Sequence, residues 1–100
     1  MYIYNITSNV DRSVHEAWIA WVKEIYIPKV LSSGYFTHHQ LLVLLDAQEE
    51  EGVTFALQFT TDSLEKYQSF LEQFADSLRK LVFQKWGDQL ISFSTVMQVL

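Results

Sequence analysis

The order strand, helix, strand, strand, helix, strand is legible in the hydropathy pattern of this chain. It predicts an α+β fold, a ferredoxin-like βαββαβ domain with a four-stranded antiparallel sheet and both helices on one sheet face. A second observation extends that prediction to assembly. Residues 41–45 and 96–100 carry apolar side chains on both strand faces, more than one helix layer covers. The bare sheet face is therefore expected to pack against a second copy, sheet to sheet, as in a dimeric α+β barrel. About 800 Å² per chain on that face would reach the size of a stable interface. Third, 100 residues with 49% hydrophobic and 15% aromatic side chains suit one domain, 1–100, with a single core and no need of disulfides.

Each element has its own signal. In residues 2–10, Tyr2, Tyr4, Ile6 and Val10 alternate with Asn5, Thr7 and Asn9, as in a strand with one buried side. A helix then starts at Asp11 or Ser13, where Ser13 and Glu16 have the spacing of a capping box. Val14, Ala17, Trp18, Trp21, Val22 and Ile25 follow the helical period, with His15, Ile19 and Tyr26 on the flank of that stripe. Pro28 lacks an N–H and disfavours helical geometry at Ile27, so a break or kink is expected there, with at most one further turn, 28–31. Residues 35–45 and 53–60 read as a hairpin around the acidic loop DAQEEEG, whose Glu49, Glu50 and Glu51 are expected to be solvated.

Asp62, with Glu65 three residues on, is the expected N-cap of a long helix to about Trp86. Its stripe is Leu64, Tyr67, Leu71, Phe74, Leu78, Leu81 and Val82, and Gly87 is placed to end it in a left-handed conformation. Residues 90–100 form the last strand, with Ile91, Phe93, Met97 and Val99 on one face and Val96 and Leu100 on the other.

Taken together, MYIYNIT, HEAWIAWVKEIYIPKVLSSGYF, FALQFTT and FQKWGDQLISFSTVMQVL resemble the DUF4286 family, small bacterial proteins of unknown function. The resemblance spans essentially the whole chain and rests on W-x-x-W, I-P-x-V-L and W/F-G-D in that order. It implies a ferredoxin-like domain of the dimeric α/β-barrel type and brings no activity. The family pattern commonly has histidine immediately before Ile-Pro, where this chain has Tyr26, which speaks against a histidine base at that point.

Composition excludes several functions. A formal net charge of -5, with seven scattered basic residues, argues against nucleic-acid binding. No run reaches the length of a membrane span, and the N-terminus has no signal-peptide pattern, so a cytoplasmic protein is expected. The absence of cysteine removes thiol chemistry and suits a reducing compartment. Neighbouring His38 and His39 point to opposite strand faces and do not share an ion readily, so neither metal nor cofactor is expected. Glycine-rich phosphate loops, G-x-S-x-G and H-E-x-x-H are missing.

What remains is a polar-tipped aromatic flank on the first helix. His15, Trp18, Trp21 and Tyr26, with His38 on the second strand, are the candidate ligand-binding residues, suited to a small apolar molecule held between helix and sheet. The expected function is a homodimeric domain without an assignable activity, binding such a ligand. The alternative is a cofactor-independent enzyme, monooxygenase- or isomerase-like, with His15, Tyr26 and His38 facing one cavity beside Trp18 or Trp21; fold analogy alone supports it.

Overall fold

The computed structural model describes residues 1–46 and 52–100. Strands β1 (Tyr2–Asp11), β2 (His38–Val43), β3 (Gly52–Thr61) and β4 (Leu90–Gln98) form one antiparallel sheet in the order β2-β3-β1-β4. With two helical rods inserted after β1 and β3, this is the ferredoxin-like arrangement that the element order predicts. The acidic loop residues Glu49, Glu50 and Glu51 lie outside the described residues.

Register divides the side chains between two faces. Opposite pairs such as Tyr4 with Phe59 and Ile6 with Leu57 put Tyr4, Ile6, Ser8 and Val10 of β1 and Val53, Phe55, Leu57 and Phe59 of β3 towards the helices. The core lies there, and an aromatic cluster forms its centre: Phe36 meets Phe70 at 4.9 Å and Phe59 at 5.6 Å between ring centroids.

The first helical rod, residues 15–32, runs on through Pro28, where a break or kink was expected. It consists of an α-helix His15–Trp21, a wide π turn Val22–Tyr26 and an α-helix Ile27–Ser32. Proline at 28 removes the N–H that would bond residue 24 and crowds that carbonyl. The chain answers by widening just upstream, where the Ile27 N–H donates to the Val22 carbonyl, so that Ile27 and Pro28 remain helical. One extra residue in the turn also rotates the side chains on its C-terminal side. Tyr26 is only 8% exposed, while Ile25, expected in the buried stripe, is 39% exposed.

The start of this rod also departs from expectation. β1 runs on to Asp11, so Arg12, Ser13 and Val14 form a tight turn closed by the Val14 N–H on the Asp11 carbonyl (3.0 Å). The N-cap is therefore Val14, with no side-chain cap, and the Ser13–Glu16 capping box does not form.

The second rod, residues 64–86, repeats the pattern without a proline: α-helix Leu64–Phe70, π turn Leu71–Ala75, α-helix Asp76–Trp86. Ser63, not Asp62, caps it, its hydroxyl accepting from the N–H groups of Glu65 (3.1 Å) and Lys66 (3.3 Å). Asp62 instead pairs with Lys66 at 3.0 Å. Leu64 is 42% exposed, so the core-facing stripe begins one turn later with the half-buried Tyr67 and continues with Phe70, which is 1% exposed. Gly87 ends the rod at φ 58 and ψ -126, a backbone region open to glycine.

The open sheet face is polar at its centre and apolar at one margin. Gln40 donates to Gln58 (3.0 Å), Gln58 to Asn5 (3.3 Å), and Asn5 to Thr7 (3.0 Å) and Thr95 (3.4 Å). Ile91, Phe93 and Met97 of β4 line the margin on the same face, with Ile91 77% and Phe93 62% exposed. The two-sided apolar stretches thus fall at the sheet margins: Leu42 is on the open face of β2, while Leu41 faces the helices.

Candidate functional site

The helices cover β3 and β1 but stop short of β4, all of whose residues except Leu90 are exposed. Between the two rods and the β1–β4 half of the sheet this leaves a cavity of about 450 Å³, within the usual range for small-ligand sites. Tyr4, Ile6, Ser8 and Leu57 form its sheet wall. Trp18, Trp21, Val22 and Tyr26 come from the first rod, and Tyr67, Phe70, Leu71, Leu78 and Val82 from the second. It opens between the second rod and β4, where its lining residues Arg79, Ser92 and Ser94 are exposed.

Both wide turns border this space. Val22 and Tyr26 bound the first, Leu71 and Ala75 the second, and all four residues line the cavity. Turns of this kind are over-represented at functional sites, since they re-aim side chains within an otherwise regular helix. Here the first one swings Tyr26 from the helix flank into the interior.

Three phenols converge on the cavity. Trp21 and Tyr26 have ring centroids 6.0 Å apart, and Tyr4 and Tyr67 5.5 Å apart. Burial pushes the Tyr26 phenol far above the usual tyrosine range, and the nearby Tyr4 phenol adds to the rise. Burial likewise raises Tyr4, as does Tyr67, while Arg79 and a hydrogen bond from Ser94 pull it back. These shifts favour neutral Tyr4 and Tyr26 hydroxyls, able to donate hydrogen bonds at neutral pH. Tyr26 is buried as a residue, and its hydroxyl, which has no hydrogen-bonding partner among the described residues, opens onto the cavity; the buried side-chain polar atom left without a partner among the described residues is Trp86 Nε1. Ser8 and Ser92 satisfy one another across β1 and β4 at 2.7 Å.

Of the five residues singled out from the sequence, Trp18, Trp21 and Tyr26 come together here, and His15 and His38 do not. His15 sits at the start of the first rod with its Nδ1 2.7 Å from the Arg12 carbonyl. His38 is exposed on the opposite sheet face, across from Thr60, with its Nδ1 3.0 Å from the Thr37 hydroxyl. The strand register dictates this: even-numbered residues of β2 point away from the helices. His39, pointing the other way, lies 6.5 Å from the Phe59 ring. Sequence reasoning missed Tyr4, Tyr67, Arg79, Ser92 and Ser94. Tyr4 and Tyr67 carried a signal, a phenol within a core-facing apolar stripe; Arg79 and the two serines reach the site only through tertiary packing.

Comparison with known proteins decides the family. The model for DUF4286, a domain of unknown function, matches residues 1–100. This chain belongs to the DUF4286 family. The DUF4286 domain shares its fold with a dimeric ferredoxin-like protein from an uncultured marine organism (TM-score 0.76, 10% identity, 99% of this chain and 94% of the other covered). HapK from Hahella chejuensis is similar (TM-score 0.72, 10% identity, 100% and 93% covered). So is a candidate antibiotic biosynthesis monooxygenase from Nitrosomonas europaea (TM-score 0.68, 14% identity, 100% and 99% covered). A search of curated proteins gives no match. Within the described residues of the DUF4286 domain, no helix is long and apolar enough to cross a membrane.

Proposed function

We propose that this DUF4286 domain is a homodimeric binding module whose ligand is a small, largely apolar molecule seated between the helices and the β1–β4 half of the sheet. The observation that carries the reading is the Tyr26 hydroxyl, on a buried side chain without a described hydrogen-bonding partner, lining a cavity of about 450 Å³. The hydroxyl opens onto the cavity, where it can donate to a ligand oxygen. Trp18 and Trp21 supply the aromatic surface beside it.

Binding is favoured over catalysis by the chemistry of the lining. Among the described residues, the cavity's side chains are aromatic, aliphatic, seryl and a single arginine, without a carboxylate or an imidazole. A phenol held neutral by burial donates a proton poorly and accepts one less well still, so Tyr26 suits recognition rather than base catalysis.

Dimerisation through the open sheet face is supported by the exposed Ile91, Phe93 and Met97 strip and by the dimeric description of the ferredoxin-like protein of similar fold. Isothermal titration with 2-naphthol tests the binding reading. Saturable one-to-one uptake per chain, weakened about five- to tenfold by Tyr26→Phe, is expected; absence of uptake by the folded protein overturns it.

A further inference from the structure

The reading of the cavity as a binding site can be carried to the charge of its ligand. The chain has a formal net charge of -5, yet among the described residues the one charged side chain lining the cavity is the cation Arg79. Arg79 sits at the mouth, on the α-helix Asp76–Trp86, and one of its guanidinium nitrogens bonds the Asp76 carboxylate on the preceding turn. That contact uses part of a five-donor fork, and the pair is exposed, so exchange with another anion is cheap.

We propose that the cavity takes planar aromatic anions, a carboxylate or an enolate on a one- or two-ring system, with the rings among Trp18, Trp21 and Phe70 and the negative oxygen within reach of Arg79 and the hydroxyls of Tyr4 and Ser94. The cavity's polar groups are graded in the same sense. Phenol Tyr26 lies deep, Tyr4 is on the sheet wall, and Ser94 and Arg79 are at the rim. Each can donate to an oxygen anion, and donors outnumber dedicated acceptors along this path. The field of Arg79 reaches the sheet wall, since it draws the Tyr4 phenol downward against the effect of burial. An aromatic cation would meet Arg79 with like charge and find no carboxylate among the described lining residues.

The inference rests on the binding reading above, and its test separates the two. Isothermal titration compares 2-naphthoate with its neutral isostere 2-naphthamide, on the wild type, Arg79→Gln and Arg79→Lys. The expected result is naphthoate binding to wild type at least tenfold more tightly than the amide. Arg79→Gln should remove that preference while leaving the amide within about twofold, and Arg79→Lys should retain much of it. Arg79 is exposed, so these variants are expected to fold, which far-UV circular dichroism checks. Equal affinity for acid and amide in the wild type, or a preference that survives Arg79→Gln, overturns the anion inference and leaves the binding site standing. Failure of both probes to bind the folded wild type overturns the site itself.

Discussion

The Trp18 indole packs against the Phe55 ring with centroids 4.9 Å apart and planes inclined by 38°, joining the first helical rod to the middle of β3. Trp18 also forms part of the cavity wall, so one side chain serves both as fastener and as lining.

Trp18→Ala removes that fastener and should destabilise the domain by about 3–5 kcal/mol, the range for deleting a large buried aromatic side chain. Trp18→Phe keeps ring contact with Phe55 and should cost clearly less. Chemical denaturation of the two variants checks the ranking, and an equal loss would mean that the contact itself contributes little.

At the start of the second rod, Ser63→Ala should cost about 1 kcal/mol, because the hydroxyl accepts from two otherwise unpaired N–H groups. Asp62→Asn should cost less, since its pair with Lys66 is exposed. The Lys66 ammonium holds the Asp62 carboxyl below the usual aspartate range. Its contribution is therefore present above the unfolded-state pKa and is lost as pH falls through the lower folded-state value. Denaturation midpoints at neutral pH and at low pH for wild type and Asp62→Asn should converge on acidification.

Tyr26 gives the opposite dependence. Its folded-state pKa is raised, so its contribution to stability holds below the unfolded-state value and is lost as pH rises through the folded-state value. Of the five tyrosines, at least one should fail to ionise reversibly in the ordinary tyrosine range. Ultraviolet difference titration should find that late component, and Tyr26→Phe should diminish it, leaving the part due to Tyr4, which burial also raises.

Gly87→Ala should destabilise by about 1–3 kcal/mol through backbone strain alone, because an added Cβ meets nothing within 4 Å while φ stays at 58. Gly52→Ala acts by another route, since its Cβ would collide with the Asn9 side-chain amide. Restoring space with Asn9→Ala should rescue the Gly52 variant and leave the Gly87 variant unchanged in thermal melts.

For the proposed dimer, Phe93→Glu places a charge on the exposed β4 strip and should shift sedimentation equilibrium towards monomer without loss of helix signal. A wild type that sediments as a monomer at micromolar concentration contradicts the assembly.

How far the sequence foretold this structure depends on the kind of signal. Strict alternation in 2–10 and 53–60 placed β1 and β3 within a residue or two, because a half-buried strand has one unambiguous period. Trp18 and Trp21 were found for the same reason on the helix. Helical phase beyond Val22 was lost because a π turn inserts one residue without any local marker other than Pro28, so Tyr26 was placed on the flank and Ile25 in the core. The second wide turn has not even a proline to announce it. Arg79, Ser92 and Ser94 belong to the site because β4 lies uncovered beside β1, a consequence of strand order that no short window of sequence contains.

Ligand entry between the helices and the sheet can be followed through the indole and side-chain amide signals of the ¹⁵N-labelled protein during titration with 2-naphthoate. Progressive shifts of the Trp18 and Trp21 Nε1–H resonances are expected, while the Gln40 and Gln58 amides on the opposite sheet face stay in place. Unmoved indoles with shifting Gln40 and Gln58 amides would put the ligand on the open face and contradict entry between helices and sheet.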